Sequence, residues 1–107
     1  MKIKQSMKPV INNNINWEEN DEEVVLIVKN RGVFNRILQM LMNKPEISYI
    51  HFDEIGSYIW KKIDGNNSVF DIGVSLESKY SNLVFPLYSR LITFLYTLKE
   101  NRFITFR

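Results

Sequence analysis

From Asp53 onward the hydrophobic spacing of this chain switches from two residues to between three and four, which limits the folds open to it. Just before the switch, Ser48, Ile50 and Phe52 alternate with Ile47, Tyr49 and His51, the two-residue period that sends side chains to opposite faces of a strand. Just after it, Ile55, Ile59 and Ile63 recur at the spacing that draws one stripe along a helix. Strands before Asp53, with one short helix among them, and three helices after it predict an α+β fold with the helices beside a small antiparallel sheet.

The rest of the chain fills in that plan. Ile15–Glu18 and the β-branched Glu23–Lys29 read as two strands joined by a short polar turn, hence a hairpin. Asn30-Arg31-Gly32 breaks the second strand. Val33, Phe34, Ile37, Leu38, Leu41 and Met42 then predict a short amphipathic helix over Val33–Asn43, ending before Lys44-Pro45. Glu46–Phe52 is the third strand. Asp53 is placed to cap the next helix, and Asp64-Gly65-Asn66-Asn67 to end it, with Gly65 suited to the left-handed C-terminal position. Ser68 and Asp71 have the spacing of a capping box ahead of Val69, Ile72, Leu76 and Tyr80. Pro86 suits the first turn of a last helix, with Leu87, Leu91, Leu95 and Leu98 on one face and Phe94 beside them. The closing Arg102–Phe106 is apolar enough to pack back on the domain. Residues 1–14, polar and carrying an Asn12-Asn13-Asn14 run, are expected as a flexible arm, and 15–107 as one domain.

Size and composition exclude several classes of function. A chain of 107 residues, 45% hydrophobic, buries roughly two-thirds of its unfolded surface, so one core suffices without metal or disulfide. It has no cysteine, which removes disulfides, thiolate nucleophiles, iron–sulfur clusters and cysteine-based zinc sites, and fits a cytoplasmic setting. The longest apolar run, Val24–Val28, is far short of a membrane span. Nothing in the pattern calls for a cofactor or a metal.

Candidate chemistry is sparse. His51 is the only histidine; Ser48 lies three positions away on the same strand, so the two leave opposite faces and make no nucleophile–base pair with Asp53. Glu18, Glu19, Asp21, Glu22 and Glu23 lack the central glycine and ligand spacing of a calcium loop and read as a solvated turn. Asp53 and Glu54 suit a helix start. Trp60 on an amphipathic helix reads as core. Three helices beside a small sheet also suggest a winged helix-turn-helix that binds DNA. The net charge is only +2, however, and the helix from Phe70 to Tyr80 offers Lys79 against Asp71 and Glu77, not the basic stripe such recognition uses.

From Tyr49 to Ile104 the chain resembles the PqqD-like family, also called RiPP recognition elements. The resemblance rests on Phe52-Asp53 where the family usually has Leu-Asn, the Ile59-Trp60 pair followed by Asp64-Gly65, and Ser68-Val69-Phe70-Asp71-Ile72 against Thr-Val-x-x-Ile. It continues through the final apolar helix and closing segment, Leu91 to Ile104. The resemblance implies a winged-helix-like, three-stranded antiparallel sheet on a three-helix bundle. It also implies a non-enzymatic role: binding the leader of a ribosomally made precursor peptide and presenting it to a modifying enzyme, often a radical-SAM enzyme.

The site so implied is the open edge of the third strand and the groove beside the last helix. Ile47, Ser48, Tyr49, Ile50, His51 and Phe52 would supply the edge, since an unpaired strand offers N–H and C=O groups to an extended peptide. Tyr88, Leu91, Phe94 and Leu95 would supply apolar pockets, with Leu91 and Leu95 the stronger core candidates. The helix over Val33–Asn43 is an addition to the smallest family members. It reads either as a cover for the core or, through Phe34, Arg36 and Met40, as a docking surface for the modifying enzyme or a second copy of this chain. A DNA-binding regulator and an interaction subunit without a peptide client are the competing functions.

Overall fold

The computed structural model describes residues 2–29, 47–81 and 86–107. The expected helix over Val33–Asn43, with Phe34, Arg36 and Met40, lies outside these residues. Three strands form an antiparallel sheet in the order β2 (Asn16–Asn20), β3 (Glu23–Lys29), β4 (Ile47–His51). Leu26 in the centre stands opposite Trp17 on one side and Ile50 on the other. The β2–β3 turn places Asp21 and Glu22 at φ 50° and 70°, the paired left-handed conformations of a type I′ hairpin turn, which matches the twist of the strands it joins. The face pattern follows the alternation in the sequence. Val24 and Leu26 are fully buried, Ser48 and Ile50 partly so, while Ile47, Tyr49 and His51 face outward.

The covering layer is three helices: α1 (Glu54–Lys61), α2 (Val69–Lys79) and α3 (Leu87–Glu100). Ile55, Ile59 and Ile63 of the α1 stripe, Val69, Ile72, Leu76 and Tyr80 of α2, and Leu87, Leu91, Leu95 and Leu98 of α3 are all buried in one core. Trp60 is at its centre, fully buried and met edge-on by Trp17 and Phe52 with ring centroids 6.1 and 5.7 Å away. Asp53 caps α1, accepting the Gly56 N–H at 2.8 Å. Ser68 and Asp71 form the expected capping box on α2.

Three details differ from the sequence reading. Gly65 is left-handed (φ 83°), but α1 has already ended at Lys61 with Lys62 as its right-handed cap, so Gly65 serves the turn between α1 and α2. The Asp64 carboxylate organises that turn by accepting the Asn66 and Asn67 N–H groups. Pro86 is the residue before α3 instead of a member of its first turn, consistent with a ring that cannot donate a backbone hydrogen bond. Within the stretch expected as an arm, Pro9–Ile11 forms a strand, β1, that pairs antiparallel with the chain's end, β5 (Ile104–Phe106). The carbonyls of Gln5 and Met7 also accept the Phe70 and Val69 N–H groups, which the first turn of α2 leaves without helical partners.

Sheet and helices meet at Ser57, a polar side chain 1% exposed. Its hydroxyl oxygen accepts the Val24 N–H at 2.8 Å and lies 3.4 Å from the Phe52 carbonyl, to which it donates. Phe52 returns the rung by donating its N–H to the Val24 carbonyl at 2.9 Å. The hydroxyl thus completes the last rung of the β3–β4 ladder from the first turns of α1. Ser57→Ala leaves the buried Val24 N–H without an acceptor and is expected to cost about 1–3 kcal/mol, measured by urea unfolding.

Candidate functional site

The rung closed by Ser57 fixes which backbone groups of β4 face β3. In an antiparallel pair, residues that exchange hydrogen bonds alternate with residues that do not. Phe52 pairs with Val24 through a hydrogen bond, and the register continues as Ile50 opposite Leu26 and Ser48 opposite Val28. The N–H and C=O groups of Phe52, Ile50 and Ser48 therefore point inward to β3. Those of Ile47, Tyr49 and His51 point away from it. Among the described residues no strand pairs with that outer edge.

The junction below β4 holds the edge against α3. Phe52 meets Phe94 edge-on, centroids 5.1 Å apart, and Asp53 forms an ion pair with Arg90. Partial burial alone would raise the Asp53 carboxyl. The Gly56 N–H and the Arg90 guanidinium outweigh it and hold the group below its ordinary value of 3.8. Gly56 makes the close approach feasible: a Cβ there would lie 3.1 Å from the Asp53 carboxylate and 3.3 Å from the Phe94 ring.

The structure brings together only some of the residues expected at this site. Ile47, Tyr49 and His51 are exposed along the edge, Tyr49 most of all at 60%. Ser48 and Ile50 are half-buried on the core-facing side, and Phe94 is half-buried against Phe52. Phe52 is nine-tenths buried and packs edge-on against Trp60 and Phe94. Leu91 and Leu95 are fully buried in the core and present no surface. Tyr88 is a correction. Six residues before Phe94, it leaves α3 about 120° away around the helix, and its ring lies against Gly73 of α2 instead of β4.

Arg90, Gly56 and Ser57 were missing from the sequence-based site. The one available signal was Gly56-Ser57, two small residues in the first turn of an otherwise large apolar helix. His51 and Ser48 lie on opposite faces, as expected, and the described residues hold no cluster able to ligate a metal. Glu19 of the acidic turn is paired with Lys61 at 2.8 Å. No helix among the described residues is long and apolar enough to cross a membrane.

An α+β domain whose β4 edge carries no further strand among the described residues is the class these features define. The sequence matches the family model described as Coenzyme PQQ synthesis protein D (PqqD) over residues 39–104, more than half of the chain, and the protein belongs to that family. A solved structure of TbiB1 in complex with the TbiA(beta) leader peptide shares the fold. Its TM-score is 0.63 at 23% identity, over 89% of this chain and 93% of that one. No curated protein matches the sequence.

Two outcomes test the junction. Gly56→Ala should destabilise the fold although alanine is the better helix former by about 1 kcal/mol. Gly73→Ala, whose Cβ would meet Leu91 and Tyr88 only at 3.6 and 3.7 Å, should stabilise it by about 0.5–1 kcal/mol. A depressed carboxyl pKa contributes stability above its unfolded value, lost as pH falls through the folded one. The stability gap between the native chain and Asp53→Asn should therefore close as pH drops through and below 3.8. Thermal unfolding across an acid pH series measures both.

Proposed function

We propose that this protein is a non-enzymatic, winged-helix-type peptide-binding domain. It takes the leader segment of a ribosomally made precursor peptide as an added strand on β4 and presents it to a modifying enzyme of the radical-SAM or a related class. The observation that carries this reading is the outward direction of the Ile47, Tyr49 and His51 backbone groups, with Phe94 half-buried against Phe52 just past the end of the strand. Membership of the PqqD family and a shared fold with a protein solved in complex with a leader peptide support it. The setting we infer is the cytoplasm, where such peptides are made. Phe34, Arg36 and Met40 remain proposed contacts for the enzyme.

The energetics divide affinity from specificity. Each rung added to β4 contributes about 0.5–1.5 kcal/mol net, and ordering a flexible leader costs several kcal/mol. Backbone pairing alone is therefore weak and blind to sequence. Micromolar binding, about −8 kcal/mol, needs apolar leader side chains seated against Ile50 and Phe94 on the inner side, with others beside Tyr49 and Ile47 on the outer side.

Tyr49→Pro removes one outward N–H without touching the β3–β4 ladder, the position at which an edge strand tolerates proline. Titration with labelled leader peptides encoded near this gene should give micromolar or tighter binding. Tyr49→Pro should weaken it at least ten-fold and Tyr49→Val, which keeps the N–H, much less. Equal binding by Tyr49→Pro would contradict strand addition.

A further inference from the structure

The ribbon of β1 and β5 offers a further strand edge, and its phase can be read in the same way as that of β4. Lys8 and Arg107 exchange both backbone hydrogen bonds, at 2.8 and 2.9 Å. Bonded and non-bonded positions alternate along an antiparallel pair. Thr105 opposite Val10 is therefore the next bonded pair. Ile104 and Phe106, opposite Ile11 and Pro9, turn their N–H and C=O groups away from β1. Pro9 fits that phase, since it has no N–H to give, and it blunts the β1 edge. The β5 edge carries no proline, and among the described residues no strand pairs with it.

A cleft of about 440 Å³ lies against this edge: all three residues of β5 line it and none of β1 does. Its two charged residues are both cations, Lys99 from the last turn of α3 and Arg102 just after it. Neither has an ion-pair partner among the described residues. Glu100 is the one acidic residue from 99 to 107; it leaves α3 about 100° round from Lys99 and does not line the cleft. Asp64 belongs to the turn that Arg107 reaches at the other end of β5, and its carboxylate is engaged by the Asn66 and Asn67 N–H groups. Arg102 is not explained by the turn it occupies. It follows the α3 cap, Asn101, in a left-handed conformation (φ 62°) where glycine is the usual residue. The fold uses its carbonyl, which accepts the Asn12 side-chain amide, and leaves the residue exposed.

We propose that the β5 edge docks an extended, acidic segment of a partner protein. The segment's backbone pairs with the outward groups of Ile104 and Phe106, and a carboxylate at the Ile104 end meets Arg102 and Lys99. The charges select this occupant. Two cations beside an open edge oppose its pairing with the same edge of a second copy, and the same two cations attract a strand that carries carboxylates. The β4 and β5 edges belong to different sheets, so the inference does not depend on what binds β4.

NMR titration of the isotope-labelled full chain tests it. The probe is a short peptide of alternating valine and glutamate, with a peptide of alternating valine and lysine as its counterpart. The glutamate peptide should shift the Ile104 and Phe106 amide resonances, less so as salt is added, and the lysine peptide should not. Lys99→Gln and Arg102→Gly should each weaken that binding about two- to five-fold, the range of an exposed charge pair. Arg102→Gly should meanwhile unfold at an equal or higher temperature, because glycine adopts the left-handed backbone at no steric cost. Unmoved Ile104 and Phe106 amides, or equal shifts with both peptides, overturn the proposal. Glutamate-peptide binding that both substitutions leave unchanged overturns the role of the two cations. Inorganic phosphate moving the same two amides as far as the peptide does overturns strand pairing.

Discussion

The Ser57 hydroxyl is the point on which the arrangement of this domain depends. By accepting from Val24 and donating to Phe52, it replaces one direct rung of the β3–β4 ladder with a bridge to α1. A helix that packs on a sheet through apolar contact alone can slide; one that closes a ladder rung cannot, because sliding strands a buried N–H. The residues next to Ser57 extend the restraint. Asp53 caps α1 and holds Arg90, Gly56 lets Phe94 approach, and Phe52 carries contact from Phe94 to Trp60. Five consecutive residues before the second turn of α1, Phe52 to Gly56, with Ser57 thus set both the phase of the β4 backbone and the distance of α3 from it.

That phase gives the edge its proposed use. A one-residue change of register would turn the outward groups of Ile47, Tyr49 and His51 inward and bring the partly buried Ile50 to solvent. Peptide capture through an edge strand needs the backbone groups outward and an apolar flank within reach. Here the flank is Phe94, held in place by the same junction. Protein binding through backbone groups is indifferent to side-chain identity. A client held as proposed would therefore be selected by a few apolar contacts.

Much of this was legible in the sequence because it follows from periodicity and caps. The three-stranded sheet, the inward set Ser48, Ile50 and Phe52, the caps at Asp53 and Ser68, and the leucine face of α3 all report local spacing. The groove was less legible because spacing along a helix gives a face but not its neighbour. Tyr88 and Phe94 are both aromatic residues on the margin of the α3 core stripe, and only the packing of α2 on one flank and the β4–α1 junction on the other separates them. Ser57 was missed for a related reason. A serine in the first turn of a helix is unremarkable until the strand that needs its oxygen is in place. The pairing of β1 with β5 joins residues almost a chain length apart, a distance over which a polar stretch such as 1–14 carries no pattern to read.

Strand addition on β4 can be read amide by amide. Hydrogen exchange of the β4 backbone, followed with and without a leader peptide, separates its inward groups from its outward ones. The account predicts that the Ile50 and Phe52 amides, already bonded to β3, are protected in both states, and that the Tyr49 and His51 amides become protected when the peptide is bound. Protection gained elsewhere, with the Tyr49 and His51 amides exchanging as fast as before, would contradict it.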